Sequence, residues 1–376
     1  VRLVSLELRN WRNLAPVRLE TDARFVVLHG DNAQGKTNLL EAAWMLGTLR
    51  SFREHRPRRL VRHGERQARL VGGVDGISGR RQLSWELDDG ARRLRLDGRP
   101  ATSLADWFAV LRAILFSPED AALVRGEPAL RRRFLDRAAF TARPGHLELV
   151  RDHRRVLAQK SALLREGRPT AATLAPWNQR LAELGARLSL SRQRVLDELR
   201  EPIHTVHARI AGASAAPVGL AVRGVGAEAR DLDTVRQRIL EELHRKRDDE
   251  LRRGICLAGP QRDDLHITLG GRPARAFASQ GQARSLVLSL KLAELLAARE
   301  RGDAPLFLLD DLTSELDRGR MHRLIEVLGE LQSQVWLTTT DPAWLGPLPS
   351  DSTLLMRIVE GRIEGCTTMD EPGPSR

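Results

Sequence analysis

Gly30-Asp31-Asn32-Ala33-Gln34-Gly35-Lys36-Thr37 fits the phosphate-loop pattern G-x-x-x-x-G-K-[ST] at every required position. Before it, Arg24-Phe25-Val26-Val27-Leu28-His29 reads as a short buried strand. After it, Asn38-Leu39-Leu40-Glu41-Ala42-Ala43-Trp44-Met45-Leu46 reads as a helix. Strand, glycine loop and helix in that order aim backbone N–H groups at one point, where the helix N-terminus adds roughly half a positive charge. A nucleoside triphosphate is the expected ligand. Lys36 would reach its β- and γ-phosphates, and the Thr37 hydroxyl would sit on Mg²⁺. Only four of the 61 basic residues are lysines, so a chance match is rare.

Further on, Leu306-Phe307-Leu308-Leu309-Asp310-Asp311 is an apolar strand ending in two carboxylates. A phosphate-loop ATPase uses such an ending to bring a carboxylate near Mg²⁺ at the carboxyl edge of its sheet, the role that Asp310 fits. Asp311 follows, where it can orient or deprotonate an attacking water. About 28 residues upstream, Ser279-Gln280-Gly281-Gln282 opens an apolar-rich helix. A serine and a glycine at a helix N-terminus form a second phosphate-binding end. In ATPases of the ABC class, the signature helix of one subunit closes over the γ-phosphate held by the other, giving a two-fold dimer. Ser314-Glu315-Leu316-Asp317 stands where that class places a Ser-Ala-Leu-Asp-like loop.

The 376 residues suit two to three domains. With 61 Lys+Arg against 49 Asp+Glu, the net charge of +12 points to an anionic partner such as nucleic acid. A GC-rich genome explains arginine over lysine but not the excess over acids. Cys256 and Cys366 show no metal-ligand spacing. No run approaches the roughly twenty apolar residues of a membrane span, and the first residues alternate like a strand, so a cytoplasmic protein is expected.

Along the chain, Leu83, Trp85 and Leu87 alternate with polar residues, and Asp88-Asp89-Gly90 signals a hairpin into Leu94 and Leu96. Residues 50–62 hold six arginines and one glutamate, the densest basic run. Arg50, Arg53, Arg56, Arg58, Arg59 and Arg62 are therefore candidates for DNA phosphates, with 131–133 and 151–155 next in line. From 117 the texture becomes helical over 130–140, 147–164, 174–210 and 232–252, with strand signals returning at Leu265, Ile267 and Leu269. Val335-Trp336-Leu337-Thr338-Thr339-Thr340 is one more buried strand.

With these segments in place, the chain resembles the RecF family of SMC-like ABC ATPases nearly end to end. The likeness is carried by Asn10-Trp11-Arg12-Asn13-Leu14, Gly35-Lys36-Thr37-Asn38, Leu49-Arg50-Ser51-Phe52-Arg53 and Phe116-Ser117-Pro118-Glu119-Asp120. Further matches are Gly126-Glu127-Pro128, Arg131-Arg132-Arg133-Phe134-Leu135-Asp136, Gly259-Pro260-Gln261-Arg262-Asp263-Asp264-Leu265, residues 278–282 and residues 309–317. It implies an α/β fold: an ABC-type ATPase head whose phosphate-loop lobe combines a mixed sheet with an antiparallel β layer, plus a helical second lobe. The expected boundaries are 1–116 and 303–376 for the first lobe, and 117–302 for the second, which carries Ser279–Gln282.

The resemblance also implies ATP and Mg²⁺ as cofactors, with Asn38 joining residues 30–37 at the nucleotide. It implies weak DNA-stimulated ATP hydrolysis and an ATP-dependent homodimer. The implied partners are RecR, RecO, duplex DNA and single-strand/duplex junctions in gap repair and replication restart. Transporter subunits of the ABC class carry Glu after the strand Asp and a histidine after the next strand. Here those places hold Asp311 and the three candidates Thr338, Thr339 and Thr340, which suggests slow hydrolysis. The alternative of a transporter's nucleotide-binding subunit conflicts with the roughly 270 residues between the two nucleotide motifs. A GTPase lacks its Asn-Lys-x-Asp motif here, and a head that binds ATP without turning it over is the third reading.

Overall fold

The computed structural model describes residues 1–76, 79–167, 169–212, 215–312, 316–349 and 352–368. Eight strands precede the helical region: β1 (Arg2–Arg9), β2 (Val17–Glu20), β3 (Phe25–His29), β4 (Gln67–Gly76), β5 (Gly79–Asp88), β6 (Ala91–Leu96), β7 (Arg99–Pro100) and β8 (Ala113–Phe116). Within that region lie β9 (Val218–Arg223), β10 (Asp264–Leu269) and β11 (Arg272–Pro273). After it come β12 (Leu306–Leu309), β13 (Val335–Thr339), β14 (Thr353–Val359) and β15 (Arg362–Thr368).

Contacts along the chain define two compact units: Val1–Ala121, Val206–Ser214 and Arg284–Arg376 form one, and Ala122–Thr205 with Ala215–Ala283 the other. The division differs from the 116/117 and 302/303 boundaries expected from the sequence, because it falls inside the helices Ala171–Ala211 and Gln280–Glu300. Residues 284–300 go with the first unit, where Lys291 pairs with Asp120 at 3.4 Å and Ser289 meets His207 at 3.1 Å.

The first unit holds two six-stranded sheets. One is mixed, in the order β15-β14-β3-β13-β12-β8, parallel throughout except for the β14–β15 pair. Every residue of β8, β12 and β13 is buried, as expected of strands covered on both faces. The other sheet is antiparallel, in the order β2-β1-β4-β5-β6-β7. A register shift between Leu3 and Ser5 puts Leu3 on the same buried face as Leu6 and Leu8, although the first two are an odd number of positions apart. The Asp-Gly hairpin forms as its sequence predicts, with positive φ at Asp89 and Gly90.

The second unit is mostly helical, with Pro128–Ala142, His146–Glu166, most of the 41-residue Ala171–Ala211, Leu232–Arg245 and Arg247–Arg253. It also contains a small antiparallel sheet, β11-β10-β9. β9 was not expected. Val218-Gly219-Leu220-Ala221-Val222 has the right alternation, but its glycine and alanine carry little strand signal. Among the described residues no helix is long and apolar enough to cross a membrane.

Buried ion pairs tie the second unit together. The buried Arg131 grips the partly exposed Asp264 through two bonds of 2.6 and 2.9 Å, and Lys160 donates to Glu250 at 2.7 Å, a pair that is fully enclosed. The other Glu250 oxygen accepts from Leu257 N at 2.7 Å. Lys160→Met should therefore destabilise this unit by about 3–5 kcal/mol, because it strands a buried carboxylate. Adding Glu250→Gln should recover most of the loss in denaturant titrations, since glutamine keeps an acceptor for Leu257 without the charge.

Candidate nucleotide site

The phosphate loop leaves β3 through Gly30, whose φ is 138°; a Cβ there would stand 2.4 Å from the Ile358 carbonyl oxygen. Gly35, with φ of 112°, precedes the helix Lys36–Thr48, and a Cβ would lie 2.8 Å from Leu14. Glycine is needed at both positions for space as well as conformation. The loop is braced by the turn between β14 and β15, since Gln34 O accepts from Gly361 N at 2.9 Å and Gln34 Oε1 from Glu360 N at 2.5 Å.

The two nucleotide motifs that the sequence separates by about 270 residues meet at the carboxyl edge of the mixed sheet. Thr37 Oγ1 donates to Asp310 Oδ1 at 2.9 Å, and Thr338 Oγ1 donates to the same oxygen at 2.8 Å. The Thr338 hydroxyl in turn accepts from Asp311 N at 2.7 Å, and Asp311 adopts a left-handed φ of 48°. Thr338 thus bonds to the Asp310 carboxylate and to the Asp311 backbone, whereas Thr339 bonds to Asp341 O at 3.0 Å. Burial pushes the Asp310 carboxyl above the ordinary carboxylate range, against the Thr338 and Thr37 hydrogen bonds and the charge of Arg53. Lys36 Nζ donates to Gly30 O at 2.6 Å and Asp31 O at 2.7 Å. Its pKa is lowered by burial, against the fields of Asp311, Asp31 and Asp310.

Glu41, fully enclosed in the phosphate-loop helix, organises the neighbouring surface. It takes two bonds of 2.9 Å from Arg12 and one short bond from Ser51. Ser51 Oγ then accepts from Arg53 N and Glu54 N, while Arg12 Nη1 donates to Arg59 O. Trp11 Nε1 donates to Asn38 O at 2.9 Å, and Asn38 Nδ2 to Asn13 Oδ1 at 2.7 Å. Together these elements border a cleft of about 930 Å³ lined by Arg12, Asn13, Asn38, Arg53, Arg58 and Arg62 among others. Four of the six arginines expected at DNA, namely Arg53, Arg58, Arg59 and Arg62, stand on this cleft; Arg50 and Arg56 are exposed and do not line it. Arg53 also donates to Asn38 Oδ1 at 3.3 Å.

In the second unit, Ser279 and Gln282 form a reciprocal capping box. Gln282 N donates to Ser279 Oγ at 3.2 Å, and Ser279 N donates to Gln282 Oε1 at 2.8 Å. Gln280 and Gly281 follow Ser279 in the first turn of the helix. Thr313, Ser314 and Glu315 lie outside the described residues; Asp317 caps the helix Arg318–Glu330.

A phosphate loop, a carboxylate at a parallel sheet's carboxyl edge and an antiparallel β layer define the head of an ABC-type ATPase. Residues 2–347 match the family described as RecF/RecN/SMC N terminal domain. The DNA replication and repair protein RecF of Anaeromyxobacter sp. (strain Fw109-5) is 39% identical over 96% of this chain and 99% of its own length. That of Geobacter sulfurreducens is 38% identical, with the same coverage. Structures of the recombination mediator protein RecF with ATP and with ATPrS in the RecFOR pathway superpose with a TM-score of 0.86 at 26% identity. They cover 96% of this chain and 96% and 97% of theirs. An Smc head domain from Pyrococcus furiosus, 14% identical with a TM-score of 0.58, shares the fold. The chain belongs to the RecF family.

Asp310 gives a signed prediction. An acid whose folded pKa is raised costs stability as pH rises from its unfolded value through its folded one, and above that the cost is complete. Asp310→Asn should therefore raise the melting temperature of the nucleotide-free protein at pH 7. The difference should shrink as the pH falls below the ordinary carboxylate range, where both side chains are neutral.

Proposed function

We propose that this chain is an ATP-dependent DNA-binding protein of recombinational gap repair and replication restart, with weak DNA-stimulated ATP hydrolysis and ATP-driven dimerisation. The observation that carries the reading is the meeting of Thr37, Asp310 and Thr338 beside the phosphate loop, in a chain whose relatives over 96% of its length are named as DNA replication and repair proteins. Those full-length relatives also disfavour a transporter subunit.

Residues 30–38 would hold the triphosphate, and Lys36 would exchange its two loop carbonyls for phosphate oxygens. Thr37 and Asp310 offer hard oxygen donors 2.9 Å apart, which suits Mg²⁺. When bound, Mg²⁺ and ATP supply a γ-phosphoryl group with its charge partly neutralised. Asp311 orients the attacking water and accepts its proton. Lys36 stabilises charge on the phosphoryl oxygens. Ser279, Gln280, Gly281 and Gln282 of one copy face the γ-phosphate held by the second. Arg50, Arg53, Arg56, Arg58, Arg59 and Arg62 supply positive field for phosphates, and four of them line the cleft beside the phosphate-loop helix. Duplex DNA, single-strand/duplex junctions, RecR and RecO are the partners of this reading.

Two variants test the chemistry and the assembly. Asp311→Asn should bind ATP normally but release phosphate at least tenfold more slowly, so that the ATP dimer persists in sedimentation; a wild-type rate would assign the water to another residue. Ser279→Asp keeps an N-cap acceptor yet repels a γ-phosphate. It should bind ATP as a monomer, fail to dimerise and fail to hydrolyse. An ATP-dependent dimer of Ser279→Asp would overturn the composite site.

A further inference from the structure

The antiparallel sheet of the first unit buries one face and leaves the other charged. Register across its strands aligns Leu8, Leu70, Trp85 and Leu94 on the inner side. The next row faces outward and aligns Arg9 of β1, Arg69 of β4, Glu86 of β5 and Arg93 of β6. Two residues along on the same face stand Arg18, Glu7, Val71, Ser84 and Arg95; Val71 and Ser84 are buried, and the charged side chains are the exposed ones. Five arginines share these two rows with two glutamates, and strand alternation puts Asp88 and Glu20 on the same face just beyond them. All four acids already have partners: Arg69 pairs with Glu86 at 3.2 Å, and Arg18 with Glu20 at 3.4 Å and Glu7 at 3.8 Å. Arg93 reaches Asp88 at 3.4 Å, and Arg95 donates to the Gly98 carbonyl oxygen at 3.2 Å. Arg18, Arg69 and Arg93 keep half or more of their side chains in solvent.

We infer that this outer face is a second binding surface, separate from the residue 50–62 loop, and that its ligand is the phosphate backbone of duplex DNA. The inference rests on the proposal that the chain binds DNA. Charge complementarity supplies the attraction, since the five guanidiniums outnumber the acids and present planar donors suited to phosphate. Spacing supplies the fit. Arg93 and Arg95 are separated by two strand steps, about 6.8 Å, so both guanidiniums can lie along one stretch of phosphate backbone. Arg69 lies two strand spacings from Arg93, about 9.6 Å. The two rows contain no aromatic side chain on which an unpaired base could stack, so they suit a backbone rather than single-strand bases. Glu86, between Arg69 and Arg93, opposes the contact directly.

The test is a salt series of ATP-loaded protein on a duplex oligonucleotide, comparing wild type with Arg69→Gln/Arg93→Gln/Arg95→Gln and with Glu86→Gln. Glutamine keeps the aliphatic stems in place, and ATP affinity serves as the check on folding. The triple variant should bind ATP like wild type but flatten the slope of log affinity against log salt by about 2 to 3 per subunit. Glu86→Gln removes a repulsive charge and releases Arg69, so it should bind the duplex more tightly and steepen the slope by about 1. Unchanged slopes in both variants, with wild type binding the duplex, would overturn this surface while leaving the DNA-binding reading intact. A wild type that does not bind duplex DNA would overturn both.

Discussion

One carboxylate oxygen holds the nucleotide half of this protein in register. Asp310 Oδ1 receives Thr37 from the phosphate-loop helix and Thr338 from β13, while Asp310 N reaches across to Phe116 O at the end of β8. A carboxylate at the end of a buried strand is costly to ionise, and burial raises its pKa accordingly. The two hydroxyls oppose that rise, each supplied by an element that must be correctly placed to reach it. The order β3-β13-β12-β8 is what places them, because it sets the phosphate loop, Thr338, Asp310 and Phe116 at one edge. The site is therefore a test of sheet topology: a different strand order would leave Asp310 buried without its donors.

Much of this was legible in the sequence because period and composition dominate there. The all-apolar strands 306–309 and 335–337 could hardly be anything but central, and the Asp-Gly turn fixed the β5–β6 hairpin. What stayed hidden depends on side-chain direction or on weak strand formers. Three consecutive threonines cannot be ranked by period alone; the pleat decides that Thr338 points to Asp310 and Thr339 to Asp341. β9 is built partly of glycine and alanine, and its partner β10 lies about 40 residues away, so only tertiary pairing makes it a strand. Glu41 did leave a signal that was not taken up. A lone carboxylate in an otherwise apolar helix needs a partner, and Arg12 with Ser51 is that partner.

The arginine excess separates into two populations with different physics. In the second unit Arg131 and Arg192 are almost fully enclosed, and each is matched to a carboxylate through two bonds, to Asp264 and Asp136 respectively. Asp136 shows the strength of that matching: burial would raise its pKa, yet the His146 hydrogen bond and Arg192 hold it at about 2. Asp263 lacks such close partners, with Arg192 at 3.9 Å, and burial pushes it up to about 6. Arg131 is thus withdrawn from any direct role at DNA, although the sequence offered it as a candidate. Because the enclosed arginines are neutralised where they sit, the net charge of +12 belongs to the surface.

That surface charge and the nucleotide site are joined by very little chain. β1 ends at Arg9 on the outer face of the antiparallel sheet, and the next three residues carry the connection. Asn10 and Arg12 both take left-handed backbone, φ 52° and 50°, which turns the chain sharply onto the phosphate-loop helix. Trp11 then bonds to Asn38 O and Arg12 to Glu41, while Arg62 N and Arg12 N tie the same segment to the basic loop through Asn10 O and Leu60 O. The helix that begins at Lys36 and the strand that carries Arg9 are thus clamped together by hydrogen bonds through a segment too short and too constrained to flex between them. A shift of the helix on nucleotide binding has to be taken up by β1 and the loop or by breaking those bonds. Nothing longer than residues 10–12 separates the chemistry of the triphosphate from the arginines that face outward.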